Sequence, residues 1–261
     1  MDQKTAAIIL CAGIGSRIGL PKEQNKCALP MAGTTPVGYT ASALLKAGAD
    51  KLIVVVGHAS DSVKNALKDY VERGQVEFAV NPRYNWHGCN YSLACGMGGA
   101  YIENAERVII AEGDSLLHPG SIQQLLCQKG MAASLIRSGL YVDYTRSVVA
   151  VGTQGAILRY EYDTTHTGRS LSMLEGEEIL GDSMQLWSFS GEPLQRLKEQ
   201  LREYKREADK GEAPFVHSGV YSINRIGLRI EPIHSDYPED WINLNTQEDL
   251  RKAGNVKWLI K

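Results

Sequence analysis

Residues 8–26 read IILCAGIGSRIGLPKEQNK. An apolar run, Ile8, Ile9 and Leu10, breaks into Gly13-x-Gly15-Ser16-Arg17, and Lys26 follows. That order spells a buried strand, a tight glycine turn and then fixed cations. Glycine lets backbone N–H groups approach an anion closely, because no Cβ intervenes and positive φ costs little. Arg17 and Lys26 can then neutralise a polyphosphate, the guanidinium through its fork and the ammonium as a point charge. The stretch is expected to bind phosphate. Two other phosphate loops do not fit it. The dinucleotide fingerprint G-x-G-x-x-G needs its third glycine where Ile18 stands, with Gly19 one place late, and the ATPase loop G-x-x-x-x-G-K-[ST] fails at Ile18 too.

Working outward, residues 37–47 carry Val37, Ala41, Leu44 and Leu45 at helical spacing and stop at Gly48. Residues 51–56 are a continuous β-branched run, the pattern of a strand covered on both faces. Asp61 is expected to cap a helix through Val63, Leu67 and Val71 that closes at Gly74. Strands follow at 76–80 and 107–111, with a helix at 92–101 between them, then a short helix at 119–126 and a strand at 132–136. Such alternation predicts an α/β fold of the Rossmann-like kind: a mixed, mainly parallel sheet with helices on both faces and right-handed crossovers. Beyond it, 147–151, 156–162 and 185–190 read as strands of a small antiparallel extension. Residues 193–210 form an amphipathic helix with Leu194, Leu197, Leu201 and Tyr204 on one face. A last strand ends at 243–244, and Thr246 and Asp249 open a C-terminal helix as N-cap and first-turn acid. No repeat or linker interrupts residues 1–261, so one domain is expected, with a nucleotide half at 1–130 and an acceptor half with the C-terminal strand at 131–261.

Composition narrows the class. Apolar residues at 43% and charged residues at 22% are those of an ordinary globular protein. A net charge of −2 provides no basic field, so nucleic acid is not an expected partner. No run approaches the roughly 18 apolar residues that span a bilayer. The first residues enter strand-like sequence without the apolar core of a signal peptide, so a cytoplasmic protein is expected. Five cysteines, Cys11, Cys27, Cys89, Cys95 and Cys127, form no C-x-x-C pair, and an odd number argues against a disulfide framework. Reduced, mostly buried thiols are expected.

The run from Ala7 to Arg17, then Lys26-Cys27-Ala28-Leu29-Pro30 and Gly33, resembles the N-terminal signature of nucleotidyltransferases, which join an NTP to a phosphorylated small molecule and release pyrophosphate. The resemblance continues through Ala47-Gly48-Ala49-Asp50 into the next strand, through Glu112-Gly113-Asp114, and through Asn243-Leu244-Asn245-Thr246-Gln247-Glu248-Asp249-Leu250. It thins between about 130 and 215. It is strongest toward small cytidylyltransferases of the phosphocholine and aminoethylphosphonate type.

Asp114 sits just past a buried strand's carboxyl end, the edge where open α/β sheets bind ligands. There it can hold Mg²⁺ against a triphosphate, or cap the following turn. The resemblance makes it a metal ligand. Asn245 stands where many relatives carry Asp; its carbonyl can ligate Mg²⁺ without adding charge, or it can serve as a turn residue before Thr246. Asp249 is expected on the helix surface. The resemblance casts Arg17 and Lys26 as the catalytic cations, with Lys22 either a second cation or solvated loop. It assigns nucleotide contacts to Leu10, Ala12, Gly13, Gly15, Ser16, Lys22, Gly88, Ser92 and Glu112, the last expected to face away from the metal. Ser92 also suits the N-cap of the helix that follows.

The Cys11-Ala12-Gly13 form and the loop at 81–93 resemble pyrimidine-binding, CTP-using branches, with UTP the close alternative. Tyr160, Tyr162, Gln185, Trp187 and His217 fall where the family builds its acceptor pocket. Aromatic walls there suit an alkylammonium head group, although a strand Trp such as Trp187 also packs as core. The reaction implied is Mg²⁺-dependent transfer of CMP from CTP onto a phosphorylated or phosphonate small molecule. Alternatives are a UTP-dependent sugar 1-phosphate transferase and a nucleotide-binding regulatory protein without turnover. A homodimer is compatible with all three.

Overall fold

The computed structural model describes residues 3–86, 88–138, 148–163, 173–214 and 219–259. Its strands in the first half are β1 (Thr5–Cys11), β2 (Lys51–Val56), β3 (Val76–Val80), β4 (Arg107–Glu112), β5 (Ser115–Leu117) and β6 (Ala132–Arg137). Then come β7 (Val148–Thr153), β8 (Ala156–Glu161), β9 (Glu178–Ser190), β10 (Glu231–His234) and β11 (Trp241–Asn243). The helices that matter to the site are α1 (Pro36–Lys46), α2 (Ser60–Ala66), α3 (Lys68–Glu72), α4 (Cys89–Met97), α5 (Ala100–Glu103) and α6 (Pro119–Leu126). After β9 follow α7 (Gly191–Lys210), α8 (Val220–Arg225) and α9 (Gln247–Gly254).

The main sheet runs β10-β6-β9-β4-β1-β2-β3, with β7 added on β9 and β8 on β7. β1 is buried throughout because it lies between two parallel neighbours, β2 and β4. Its alternate residues point to opposite faces. Ala6, Ile8 and Leu10 pack under α4 and α7 with Leu93, Met97, Leu197 and Leu201. Ala7, Ile9 and Cys11 pack under α1 and α6 with Val37, Leu44, Ile122 and Leu125. Each fully buried Leu or Ile contributes about 1.5–3 kcal/mol relative to exposure, so both faces hold the sheet. The mainly parallel core, the helices on both faces and the antiparallel β7–β8–β9 extension agree with the expected class. Among the described residues no helix is long and apolar enough to cross a membrane.

The chain steps from β1 outward to β2 and β3, then returns to the other side of β1 as β4. This reversal opens a crevice at the carboxyl ends of β1 and β4, the place where such sheets bind ligands. Close approach there depends on Gly113. A Cβ on it would run into Cys11 Sγ and lie 2.8 Å from Leu10 O.

Several local expectations are corrected. Asp61 caps nothing: α2 starts after Ala59, whose φ is 45°, and the expected single helix is two short ones, α2 and α3. Asp61 instead lies in the first turn, where a carboxylate still favours the helix dipole. Ser92 is not an N-cap either. α4 begins after Gly88, and Ser92 is buried inside it, accepting from Asn81 Nδ2 at 2.8 Å. The long helix and its buried stripe are as expected, and α9 carries a full capping box between Thr246 and Asp249. Of the five thiols, all free, Cys11 and Cys27 are buried, Cys89 and Cys95 are partly covered and Cys127 is exposed.

Candidate active site

The loop after β1 is shaped by two left-handed glycines. Gly15 (φ 66°) and Gly19 (φ 69°) bracket a one-turn 3-10 helix, Ser16–Ile18, which a side-chain-bearing residue at either end would strain. Gly13 differs. A Cβ there would meet nothing within 4 Å, so no neighbour in the protein demands glycine, and the bare backbone faces open space.

Arg17 and Lys26 leave this loop toward the two residues expected to bind metal. Arg17 Nη2 donates to Asn245 Oδ1 at 2.6 Å. Lys26 Nζ forms an ion pair with Asp114, the side chains being 14% and 13% exposed. Burial works against the Lys26 charge, but the Asp114 carboxylate and the neighbouring Cys27 together hold the lysine above its ordinary pKa. Asn25, which the sequence reading passed over, fixes the backbone beneath Lys26. Fully buried, it donates through Nδ2 to Cys11 O at 2.8 Å and His58 O at 2.9 Å, and its Oδ1 accepts from Cys27 N at 2.9 Å. One amide thus ties the ends of β1 and β2 to the turn that carries the lysine.

A second set of amides enters from the far side. Asn245 Nδ2 donates to Asn243 Oδ1 at 2.9 Å, and Asn243 Nδ2 donates to Gln185 Oε1 at 3.2 Å. The chain Arg17–Asn245–Asn243–Gln185 therefore crosses the crevice. Its polarity turns the Asn245 carbonyl, rather than its NH₂, toward Arg17, an amide orientation assigned from this network. Gln185 reaches the site because β9 bulges opposite Ser134 and Ile136, with Gln185 at φ 60°. A left-handed non-glycine residue costs about 1 kcal/mol or more and persists only where the surroundings impose it. Asp249 is more than helix surface: its Oδ2 accepts from Asn245 N at 3.0 Å and Thr246 N at 2.8 Å, setting the turn that presents Asn245.

Apart from Asn25 and Asp249, these side chains line one cavity of about 360 Å³. Within the nucleotide set, Leu10, Ala12, Gly13, Gly15 and Ser16 line it from β1 and its loop, and Gly88, Ser92 and Glu112 from α4 and β4. Arg17, Lys26, Asp114 and Asn245 join them, as do Gln185 and Trp187. Glu112 does not face away: it shares the cavity with Asp114, and burial, then the Asp114 charge, pushes its carboxyl up to about 8. Lys22 is exposed on the loop and outside the lining, so it reads as solvated surface. Tyr160 does not reach the cavity; it is buried behind Trp187, ring edge to face at 6.1 Å. Trp187, 2% exposed, is chiefly core with one side at the cavity. His217 lies outside the described residues. The sequence reading did not single out Tyr84, Asn85 and Asn243, which also line the cavity. Tyr84 and Asn85 belong to the loop already read as base-binding, whereas a lone Asn two residues before Asn245 gave no signal. Burial raises the Cys11 and Cys89 thiols well above their ordinary pKa, which makes them poor nucleophiles.

Among the described residues no three His, Cys, Asp or Glu side chains cluster as metal ligands. Asp114 and Asn245 instead offer one carboxylate and one amide oxygen, both hard donors. Mg²⁺ commonly takes one or two such ligands and fills its octahedron with water and substrate phosphate. The donor set fits that ion as a companion of bound phosphate.

CTP:phosphoglutamine cytidylyltransferase of Campylobacter jejuni is 31% identical over 134 residues, 50% of this chain and 51% of that one. CMP-5'-(3-aminopropyl)phosphonate synthase of Streptomyces rubellomurinus is 24% identical over 163 residues, 62% of this chain and 25% of that one. The chain thus spans about half the length of the first relative and a quarter of the second. The inositol-1-phosphate CTP transferase from T. maritima superposes with a TM-score of 0.67 at 15% identity, covering 95% of this chain and 92% of that one. At that identity the likeness is one of fold. Residues 7–171, from the first strand through the glycine loop and Asp114, match the MobA-like NTP transferase domain, and the chain belongs to that family.

Proposed function

We propose that the protein is a Mg²⁺-dependent nucleotidyltransferase that moves CMP from CTP onto a phosphorylated or phosphonate small molecule and releases pyrophosphate. One observation carries the reading: the bare Gly13 backbone, Arg17 and Lys26 meet Asp114 in a single cavity at the sheet's switch point. An acceptor oxygen attacks the α-phosphorus; the new O–P bond forms as the bond to the bridging oxygen breaks, and the electron pair leaves with pyrophosphate. The acceptor is already anionic, so no general base is needed, and catalysis rests on positioning and charge neutralisation. The loop amides and Ser16 cradle the triphosphate, and Arg17 and Lys26 offset the charge that develops on the leaving group. Asp114 and Asn245 would hold magnesium, which when bound neutralises phosphate oxygens. For that to happen Lys26 and Arg17 turn from these two residues toward the incoming phosphates.

CTP is supported by the Ala12-Gly13 form, by Tyr84, Asn85, Gly88 and Ser92 lining the cavity, and by the cytidyl chemistry in the names of the two relatives described above. In this proposal residues 1–261 form one domain, with a nucleotide half in 1–130 and, in 131–261, an acceptor half with the C-terminal metal-site strand. The cytoplasm, where nucleoside triphosphates are made, is its proposed location. The test is a screen of the common NTPs against phosphorylated alcohols, phosphonates and sugar 1-phosphates with pyrophosphate as readout. CTP with an alkyl phosphate or phosphonate is the expected pair. UTP with a sugar 1-phosphate would replace it with the alternative transferase, and no pyrophosphate from a protein that binds NTP would leave a regulatory protein.

A further inference from the structure

Outside the cavity, Arg83 joins the loop after β3 to the far end of α7. Its guanidinium donates to two successive main-chain carbonyls in the last turn of that helix. Nη1 reaches Ala208 O at 3.0 Å and Nη2 reaches Asp209 O at 3.1 Å. The Asp209 carboxylate lies 3.8 Å from Nε. The last carbonyls of a helix carry the negative end of its dipole, and a planar fork can take two of them at once. The main chain of Arg83 organises the loop itself. Its N–H donates to Asn81 Oδ1 at 2.8 Å, and its carbonyl accepts from Trp86 N at 2.8 Å. The turn closed in this way contains Tyr84 and Asn85, and both line the cavity. Tyr84 is seated from the opposite side. A Cβ on Gly57 would lie 2.7 Å from Tyr84 Cβ and 2.9 Å from Ala12 O, so the tyrosine rests on the ends of β1 and β2. The turn is thus held between the sheet edge and α7.

We propose that Arg83 is a positioning residue for the nucleotide: by forking onto the C-terminal carbonyls of α7 it fixes the 83–86 turn, so that Tyr84 and Asn85 are in place for the base before CTP arrives. For its ligand, though not for the order of the turn, the inference rests on the nucleotidyl-transfer reading. A turn ordered in advance spares binding the cost of immobilising it, so the tether acts through affinity. Arg83 does not line the cavity and does not touch the triphosphate held by the glycine loop, Arg17 and Lys26, so turnover of the bound complex is left alone. Lysine, a single point charge, cannot span both carbonyls as the fork does.

The experiment compares wild type with Arg83→Met, which keeps an unbranched stem and removes the donors, and with Arg83→Lys and Asp209→Asn. Steady-state pyrophosphate release gives kcat and the KM for CTP and for the acceptor, and calorimetry gives the Kd for CTP with magnesium. Arg83→Met is expected to raise KM and Kd for CTP about 10-fold, the worth of one charge-assisted hydrogen bond, while kcat and the acceptor KM change less than about twofold. Arg83→Lys should fall between wild type and Arg83→Met. Asp209→Asn keeps both carbonyls and should stay within about twofold of wild type, as loss of a long, partly exposed ion pair does. Without nucleotide, hydrogen exchange at the Arg83 and Trp86 amides should quicken about 10-fold in Arg83→Met, while amides of β1 and β4 keep their protection. Unchanged CTP affinity in Arg83→Met, or a loss confined to kcat, overturns the inference. So does an Asp209→Asn loss equal to that of Arg83→Met, which would make the carboxylate the anchor. If wild type binds no CTP, the transferase reading fails, and the exchange measurement still judges the tether: unchanged exchange in Arg83→Met overturns it.

Discussion

Gly13 and Asp114 reach the cavity directly from the ends of parallel strands, whereas Gln185 and Asn245 reach it through a bulge and a relay of side-chain amides. Gly13, Arg17 and Asp114 stand within a few residues of β1 or β4, and buried neighbours on both sides fix those strands. Gln185 depends on the left-handed turn in β9, and Asn245 on Asn243 and on the turn that Asp249 closes. The first arrangement is rigid because the sheet is rigid. The second is held by a few hydrogen bonds, each contributing roughly 1 kcal/mol net, and is correspondingly easier to rearrange.

Mutations can break that contrast at graded levels. Asp114→Ala should lower Mg²⁺-dependent turnover by about 10³-fold while the melting temperature stays nearly unchanged, since the residue follows the strand rather than filling its core. Full activity in steady-state assay would remove the metal assignment. Lys26→Ala should cost about 10²-fold in kcat, and Lys22→Ala less than about twofold, because only the first reaches the cavity. Equal losses would mean that the wrong lysine has been identified. Gly13→Ala should raise KM for CTP about 30-fold with unchanged thermal stability, because its Cβ meets only the space a phosphate would fill. Gly113→Ala is its opposite, destabilising by about 1–3 kcal/mol in a denaturant titration because its Cβ strikes β1. Among the cavity residues the smallest effect belongs to the relay: Asn243→Ala should raise the magnesium concentration for half-maximal rate about 10-fold, as loss of a supporting hydrogen bond does at metal sites. No change there would mean that Asn245 is held by its turn alone.

The same contrast explains what could be read in advance. The 51–56 run reads as a strand buried on both faces because its β-branched residues are continuous, and the structure gives it those bounds. Leu194, Leu197, Leu201 and Tyr204 announce α7 because helical spacing puts them on one side. Asp61 and Ser92 misled because a cap depends on where the preceding chain turns, and here Ala59 and Gly88 turn it first. β5, β10 and α8 went unread; β5 and β10 are only 3 and 4 residues long, and pairing with distant partners, not local propensity, makes them strands.

Local covalent facts were enough for the glycine loop, the cations that follow it and the acid beyond β4. Backbone freedom without a Cβ, and charge at the end of a buried strand, mean much the same wherever the chain places them. The amino acids alone could not orient Asn245, lift Gln185 into the cavity or turn Glu112 inward beside Asp114. Those depend on contacts between residues far apart in the chain, which exist only once β9 lies between β4 and β6 and the C-terminal strand has paired with β5.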